Sequence, residues 1–443
     1  MDAARTQRNA QKLEKIQRIG YSRLGLTPPD YSPDAVRERD AGATAAVRPG
    51  GELETYVYET YSRKGIDPAA AQPMLTDVRA AVAQLDRMHQ NLPRPERGSP
   101  LSHPQHLLIL NRQRERLQRL IGTGLPEFVE NFSYLEHRVT LDTLPTGELN
   151  GRALLPPGEN PADPLYWILL DPTFFDFIYF LSNVYASAID FKALGWLARR
   201  FAVGDESVRT TDCIRFGDER PLRDLSDLLQ MFVVHGTGPV ALRPFEERIF
   251  SFAEALRNQA ALFVVAHEYG HIIRGDLKAQ QSQQAPWLAE LGADIVGWRL
   301  TNAVLNMEGT SPETRLGGAA LFFMGLALLE MTRHELATGE PWNLGNLEAA
   351  ALSGPKPSDS HPTALTRRAR LTHEFESHFP PDQARAAEFI VGLFIDLTNQ
   401  FWIRLGPNFL VLHQKGQRPK PVWKGYIGVE QGQNVSETPE EAN

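Results

Sequence analysis

Cysteine is nearly absent. Cys213 stands alone in 443 residues, so no disulfide forms within the chain, and such usage fits a reducing compartment. A basic excess is missing too: 46 Lys and Arg against 54 Asp and Glu leave a formal net charge of −8, which argues against a nucleic-acid partner. Long apolar runs are also lacking. The longest uncharged one, Leu316 to Leu329, has 14 residues, short of the ~18–20 that crossing a membrane needs. Phe177 to Ile189 is interrupted by Ser and Asn and flanked by Asp176 and Asp190. Both runs read as buried core helices, so no membrane span is expected. The first residues carry Arg5, Arg8, Lys12, Lys15 and Arg18, but also Asp2 and Glu14. They have no apolar h-region, so no secretory signal is expected and the protein reads as cytoplasmic. No internal repeat and no heptad run occurs. What is present is ordinary globular usage, with 23% charged residues, seven Trp, eleven Tyr and 22 Phe, which rules out wholesale disorder.

The expected fold is mostly α with a small β element. Residues 1–130 form an N-terminal helical region, punctuated by breakers at Thr27-Pro28-Pro29-Asp30 and from Pro93 to Pro104. Ala70 to Asn91 and His106 to Ile121 have the periodicity of amphipathic helices. The second carries Arg112, Arg114, Glu115, Arg116 and Arg119; a solvated face is the simple reading and an anion patch the alternative. Residues 131–240 mix strands and helices. His137 to Leu144 alternates like a strand, Pro145 to Pro164 reads as a Gly/Pro-rich loop, and residues 166–170 suit a second strand. Helical periodicity dominates residues 241–405, the expected catalytic core, and 406–443 read as a loosely held C-terminal tail.

The sharpest signal is His267-Glu268-Tyr269-Gly270-His271. On a helix, residues four apart project from one face, so both imidazoles can bind a single zinc ion. Glu268 lies about 100° round the helix, where its carboxylate can touch a water on the metal without being a ligand. Gly275 suits a C-cap, placing the pair in the last two turns. Chance would give His-Glu-x-x-His about 0.02 times in this composition, yet the short pattern does occur by accident and needs a third ligand. Pro286 opens a second helical stretch in which Glu290 and Asp294 share a face that Gly297 extends without a side chain. Glu290 can be the third ligand, leaving the fourth position for water. Asp294, one turn on, can accept the free N–H of a liganding histidine. The bland alternative is an exposed acidic pair.

His-Glu-x-x-His followed by Glu-x-x-x-Asp resembles the gluzincin zinc peptidases. Ser360-His361-Pro362, with Arg367 six residues after the histidine, resembles the HtpX-like and CAAX-prenyl-protease metallopeptidases. The whole set is also similar to the smaller group around the phage-exclusion peptidase Lit. The likeness covers roughly residues 245–405. It implies a zincin-like core, zinc held by His267, His271 and Glu290, Glu268 as general base, and His361 and Arg367 near the site. The HtpX-like enzymes carry transmembrane helices and this chain is expected to have none, so membrane substrates are not implied. Arg368 follows Arg367 and competes for the same place.

Elsewhere the signals are weaker. His235-Gly-Thr-Gly-Pro reads as a loop, Cys213 as a buried small hydrophobe, and His334, His373 and His378 have no ligand spacing. The Gln280–Gln284 stretch joins the two zinc helices. Together these residues point to a zinc endopeptidase with one Zn²⁺ per chain, acting on a protein or peptide substrate through a metal-activated water with Glu268 as general base. His361, or failing it Tyr269, is the candidate oxyanion donor. The strand candidates would supply an edge for the substrate. A zinc-bearing scaffold with an inactive peptidase fold, and a latent peptidase released by a regulatory partner, are the rival readings.

Overall fold

The protein is described from a computed structural model. It describes residues 3–31, 48–63, 101–122, 134–149, 151–160, 162–205, 207–215, 217–236, 247–279, 286–342 and 363–420, with scattered positions between 35 and 99. The expected helix from Ala70 to Asn91 falls almost wholly outside them.

The chain is mostly helical with a three-stranded sheet. Helices α1 (Ala3–Arg23), α2 (Glu52–Arg63) and α3 (Pro104–Gln118) come first, followed by β1 (Val139–Thr143), β2 (Gly151–Leu154) and β3 (Tyr166–Leu170). Next are α4 (Pro172–Ala188), α5 (Phe191–Ala202) and α6 (Arg220–Gln230). The second half holds α7 (Glu247–Arg274), α8 (Asp276–Ala279), α9 (Pro286–Met307), α10 (Gly317–Thr338), α11 (Ala364–His378) and α12 (Pro381–Gln414).

The sheet order is β1-β3-β2, with β1 parallel and β2 antiparallel to β3. Every residue of β3 is buried, as befits a central strand covered on both faces. On one face Leu13 of α1 packs with Leu144, Trp167 and Leu169. Gln17 of α1 donates to the buried Asp142 of β1 and to the Thr143 carbonyl. On the other face Leu141, Ile168 and Leu170 join the large core shared with α3, α4, α7 and α10. Of the two strands expected to offer an edge, β3 is central and offers none, whereas β1 stands at one side of the sheet. The edge beside α7 is β2, hidden in the expected 145–164 loop because four residues starting at a glycine carry almost no alternation signal.

Helix α7 is the centre of the bundle. Residues 260–267 have 5% exposure or less, and the helix touches α3, α4, α9, α10 and the sheet. Over Ile249–Arg274 it is the one helix among the described residues long and apolar enough to cross a membrane, with 61% of its apolar window buried inside the fold. Glu254 and Arg257 interrupt its apolar residues, so no uncharged run marks it in the sequence. The expected run Leu316–Leu329 forms the N-cap and the first turns of α10, and all of it but Leu326 is buried.

Two glycines set the α7–α9 distance. A Cβ on Gly297 would sit 2.7 Å from the His267 backbone, and one on Gly270 would sit 2.8 Å from the Ala293 carbonyl oxygen. Only a bare backbone permits that approach. The expected tail boundary at 406 is overrun, because α12 continues to Gln414 through Pro407. Phe409 is fully buried, and its packing holds the last turns that Gly406-Pro407 would otherwise break.

Gly297→Ala is expected to lower the unfolding free energy by about 2–3 kcal/mol through overpacking. Gly195→Ala, in the exposed middle of α5 with nothing within 4 Å of the added Cβ, should raise it by about 0.5–1 kcal/mol. Chemical denaturation of the two variants checks both signs.

Candidate metal centre

α7 ends where Gly275 adopts φ +75°, the expected C-cap, so His267 and His271 stand in its last two turns. The rings meet edge to face at 4.8 Å between centroids. Glu290, on the first turns of α9, faces both of them. Its Oε2 lies 3.6 Å from Nε2 of His267, and its Oε1 lies 3.6 Å from Nε2 of His271. One donor atom from each of the three residues falls within 4.8 Å of the others. Tetrahedral zinc with bonds of about 2.0–2.1 Å needs ligand atoms about 3.3 Å apart, so this donor set fits a zinc ion with small closure of the side chains.

Each imidazole turns its other nitrogen to a carboxylate. His267 Nδ1 lies 2.9 Å from Asp294 Oδ1, although the ring is not aligned for a full hydrogen bond. His271 Nδ1 lies 3.0 Å from Asp276 Oδ2. Such carboxylates fix the ring and strengthen Nε2 as a donor. Asp294 lies against His267, the neighbour that its position one turn after Glu290 gives it. Asp276 was missed, because its signal is only an acid directly after the helix-ending Gly275, where the backbone turns back on the helix end.

Arg367 of α11 makes a two-pronged bond to Asp294, with Nε and Nη2 each 2.7 Å from a carboxylate oxygen. Its Nη2 is also 3.4 Å from Glu290 Oε2. Burial alone would raise the Asp294 pKa, but Arg367 and then His267 outweigh it and hold the carboxyl at about 2. The Arg367 pKa moves the other way, upward: burial opposes its charge and Asp294 outweighs that. Arg368 lies apart, lining a small gap beside Phe323 and Leu371, so the arginine that faces the cluster is Arg367.

Glu268 is 2% exposed. Its Oε1 is 4.0 Å from Nε2 of His267, beside the three donors and not among them. The edge strand β2 backs it, since a Cβ on Gly151 would sit 2.8 Å from Glu268 Oε1 and the Ala153 N–H donates to the carboxylate. Burial raises the Glu268 pKa; His267 and His271 pull it down, Glu290 pushes it up again, and the net direction is upward. His271 is raised as well, because Asp276, Glu268 and Glu290 outweigh burial. The same field draws a cation.

His361 and the Gln280–Gln284 stretch lie outside the described residues. Tyr269 is buried in the core and senses Arg114 of α3, so it faces away from the cluster and is no oxyanion donor in this conformation. Cys213 is fully buried, and burial followed by Asp212 and Asp190 pushes its thiol up to about 11. His334 packs edge-on against Trp342, His373 lies 3.9 Å from Glu376 and His378 lies 3.7 Å from Glu374; none joins the cluster. No protein-family model, no curated protein and no solved structure matches the chain.

Arg367→Met should cost about 3–5 kcal/mol of stability by leaving Asp294 buried and unpaired, read by denaturant unfolding in chelator. Asp276→Ala should keep the fold while weakening zinc binding about 10–100-fold, read by competition with a chromophoric chelator.

Proposed function

We propose that this protein is a zinc-dependent endopeptidase with a gluzincin-like helical core. The observation that carries the reading is the joint presence of three convergent donors and one carboxylate beside them that is not a donor. A structural zinc has no use for Glu268, and burying that charge costs stability.

His267, His271 and Glu290 would hold the ion, and Asp294, Asp276 and Arg367 would keep those three oriented. Zinc, when bound, supplies Lewis acidity toward a carbonyl oxygen and acidifies a water. Glu268 removes a proton from the attacking water at its carboxylate and returns it to the leaving amine. Its buried setting, which raises its proton affinity, suits both halves of that task. Strand β2 lies against Glu268, so an extended peptide paired along this edge would bring its backbone to the carboxylate, a common mode of strand addition. The side chains of His267, Glu268 and Glu290 are only 7%, 3% and 16% exposed. That low exposure favours a latent form, opened by a partner, as a second reading.

Glu268→Gln should retain about one zinc per chain by elemental analysis while losing about 10²–10⁴-fold in hydrolysis of an unfolded protein substrate. Wild-type activity should vanish with chelator. Full activity in the variant, or activity indifferent to chelator, removes the proposal. A zinc-loaded wild type inactive alone and activated by mild destabilisation identifies the latent form.

A further inference from the structure

We propose that the cleft between α3, α7 and the C-terminal end of α9 binds a small organic phosphate. The cleft measures about 900 Å³, within the range of small-molecule sites. It lies apart from the metal centre: Gln259 on its wall is eight residues before His267 on α7, about 12 Å along the axis.

Arg112 and Arg116 share one face of α3, Arg119 opens the 3-10 turn that follows it, and all three line this cleft. Arg116 is 7% exposed and rigidly held. Its Nε and Nη2 bond Glu308 at 2.9 and 2.6 Å, and its Nη1 bonds the buried Gln113 at 2.7 Å. Arg119 adds a second guanidinium to the same Glu308, at 2.9 Å. Glu308 thus accepts three guanidinium N–H bonds, and Arg112 makes no ion pair among the described residues. Glu115 lines the cleft as well. With Glu308 it leaves three arginines facing two carboxylates, a surplus of one positive charge. That surplus suits a small anion and not a polyanion such as nucleic acid.

The far wall adds neutral donors. Gln259 accepts the Gly318 N–H at its Oε1, and its amide N–H₂ has no partner among the described residues. The Thr310 hydroxyl has none there either. The Arg112 guanidinium and the Arg119 nitrogens not bonded to Glu308 on one wall, with an amide and a hydroxyl on the other, match the several oxygens of a tetrahedral phosphoryl group. A planar carboxylate would satisfy one fork only. The remaining volume takes the organic part of a phosphomonoester.

The test is calorimetric titration of the full chain with adenosine 5′-monophosphate and, separately, with orthophosphate. Both runs use about 0.1 M KCl to screen diffuse attraction. One saturable site per chain is expected for at least one probe, weakened about tenfold or more by Arg112→Ala and by Arg119→Ala. Both arginines are exposed, so the variants fold. No saturation by either probe up to about 10 mM, a range that still detects millimolar binding, overturns the proposal. So does binding that ignores both substitutions. The titration reads the same with chelator present, so its failure leaves the metal centre untouched.

Discussion

Everything at the centre of this molecule depends on how closely α7 and α9 approach. Glu290 can face two imidazoles of the neighbouring helix only because Gly270 and Gly297 put no side chain between the two backbones. The bundle then presses on that contact from both sides, with the core behind α7 and α11 behind α9. A helix pair so close fixes side-chain positions to a fraction of an ångström, which a site for a small ion requires.

The electrostatics of the centre run against stability and toward a cation. Glu268, Glu290, Asp276 and Asp294 crowd around two imidazoles, and Arg367 with Arg274 answer them. Arg367 is the strong partner, since both of its bonds to Asp294 are short and buried. By tying Asp294 it keeps the His267 ring oriented, and by touching Glu290 it limits that side chain's rotamers. Among the described residues Glu268 has no such clamp. A buried carboxylate with so few donors among the described residues is costly, and such costs concentrate at sites that act.

Much of the centre was legible in the sequence because helices translate spacing into geometry. His267 and His271 had to share a face, and Glu290 and Asp294 had to share another once Pro286 was read as a helix start. Which arginine joined them was not legible, since Arg367 and Arg368 differ by 100° of rotation and only packing against Phe323 and Asp294 decides. Asp276 escaped notice because it lies past a helix break, where a turn and not a period places the side chain. The sheet was half legible. β3 announced itself by a continuous apolar run, whereas β2 is a four-residue edge whose partner supplies its order. The end of α12 was hidden by Gly406-Pro407, a local stop signal that burial of Phe409 overrides.

X-ray absorption at the zinc edge of the metal-loaded chain tests the central claim most directly. Two imidazole nitrogens and one or two oxygens at about 2.0–2.1 Å, with no sulfur, are the shell this account predicts. A sulfur neighbour near about 2.3 Å, fewer than two imidazoles, or a chain that takes up no zinc would contradict it.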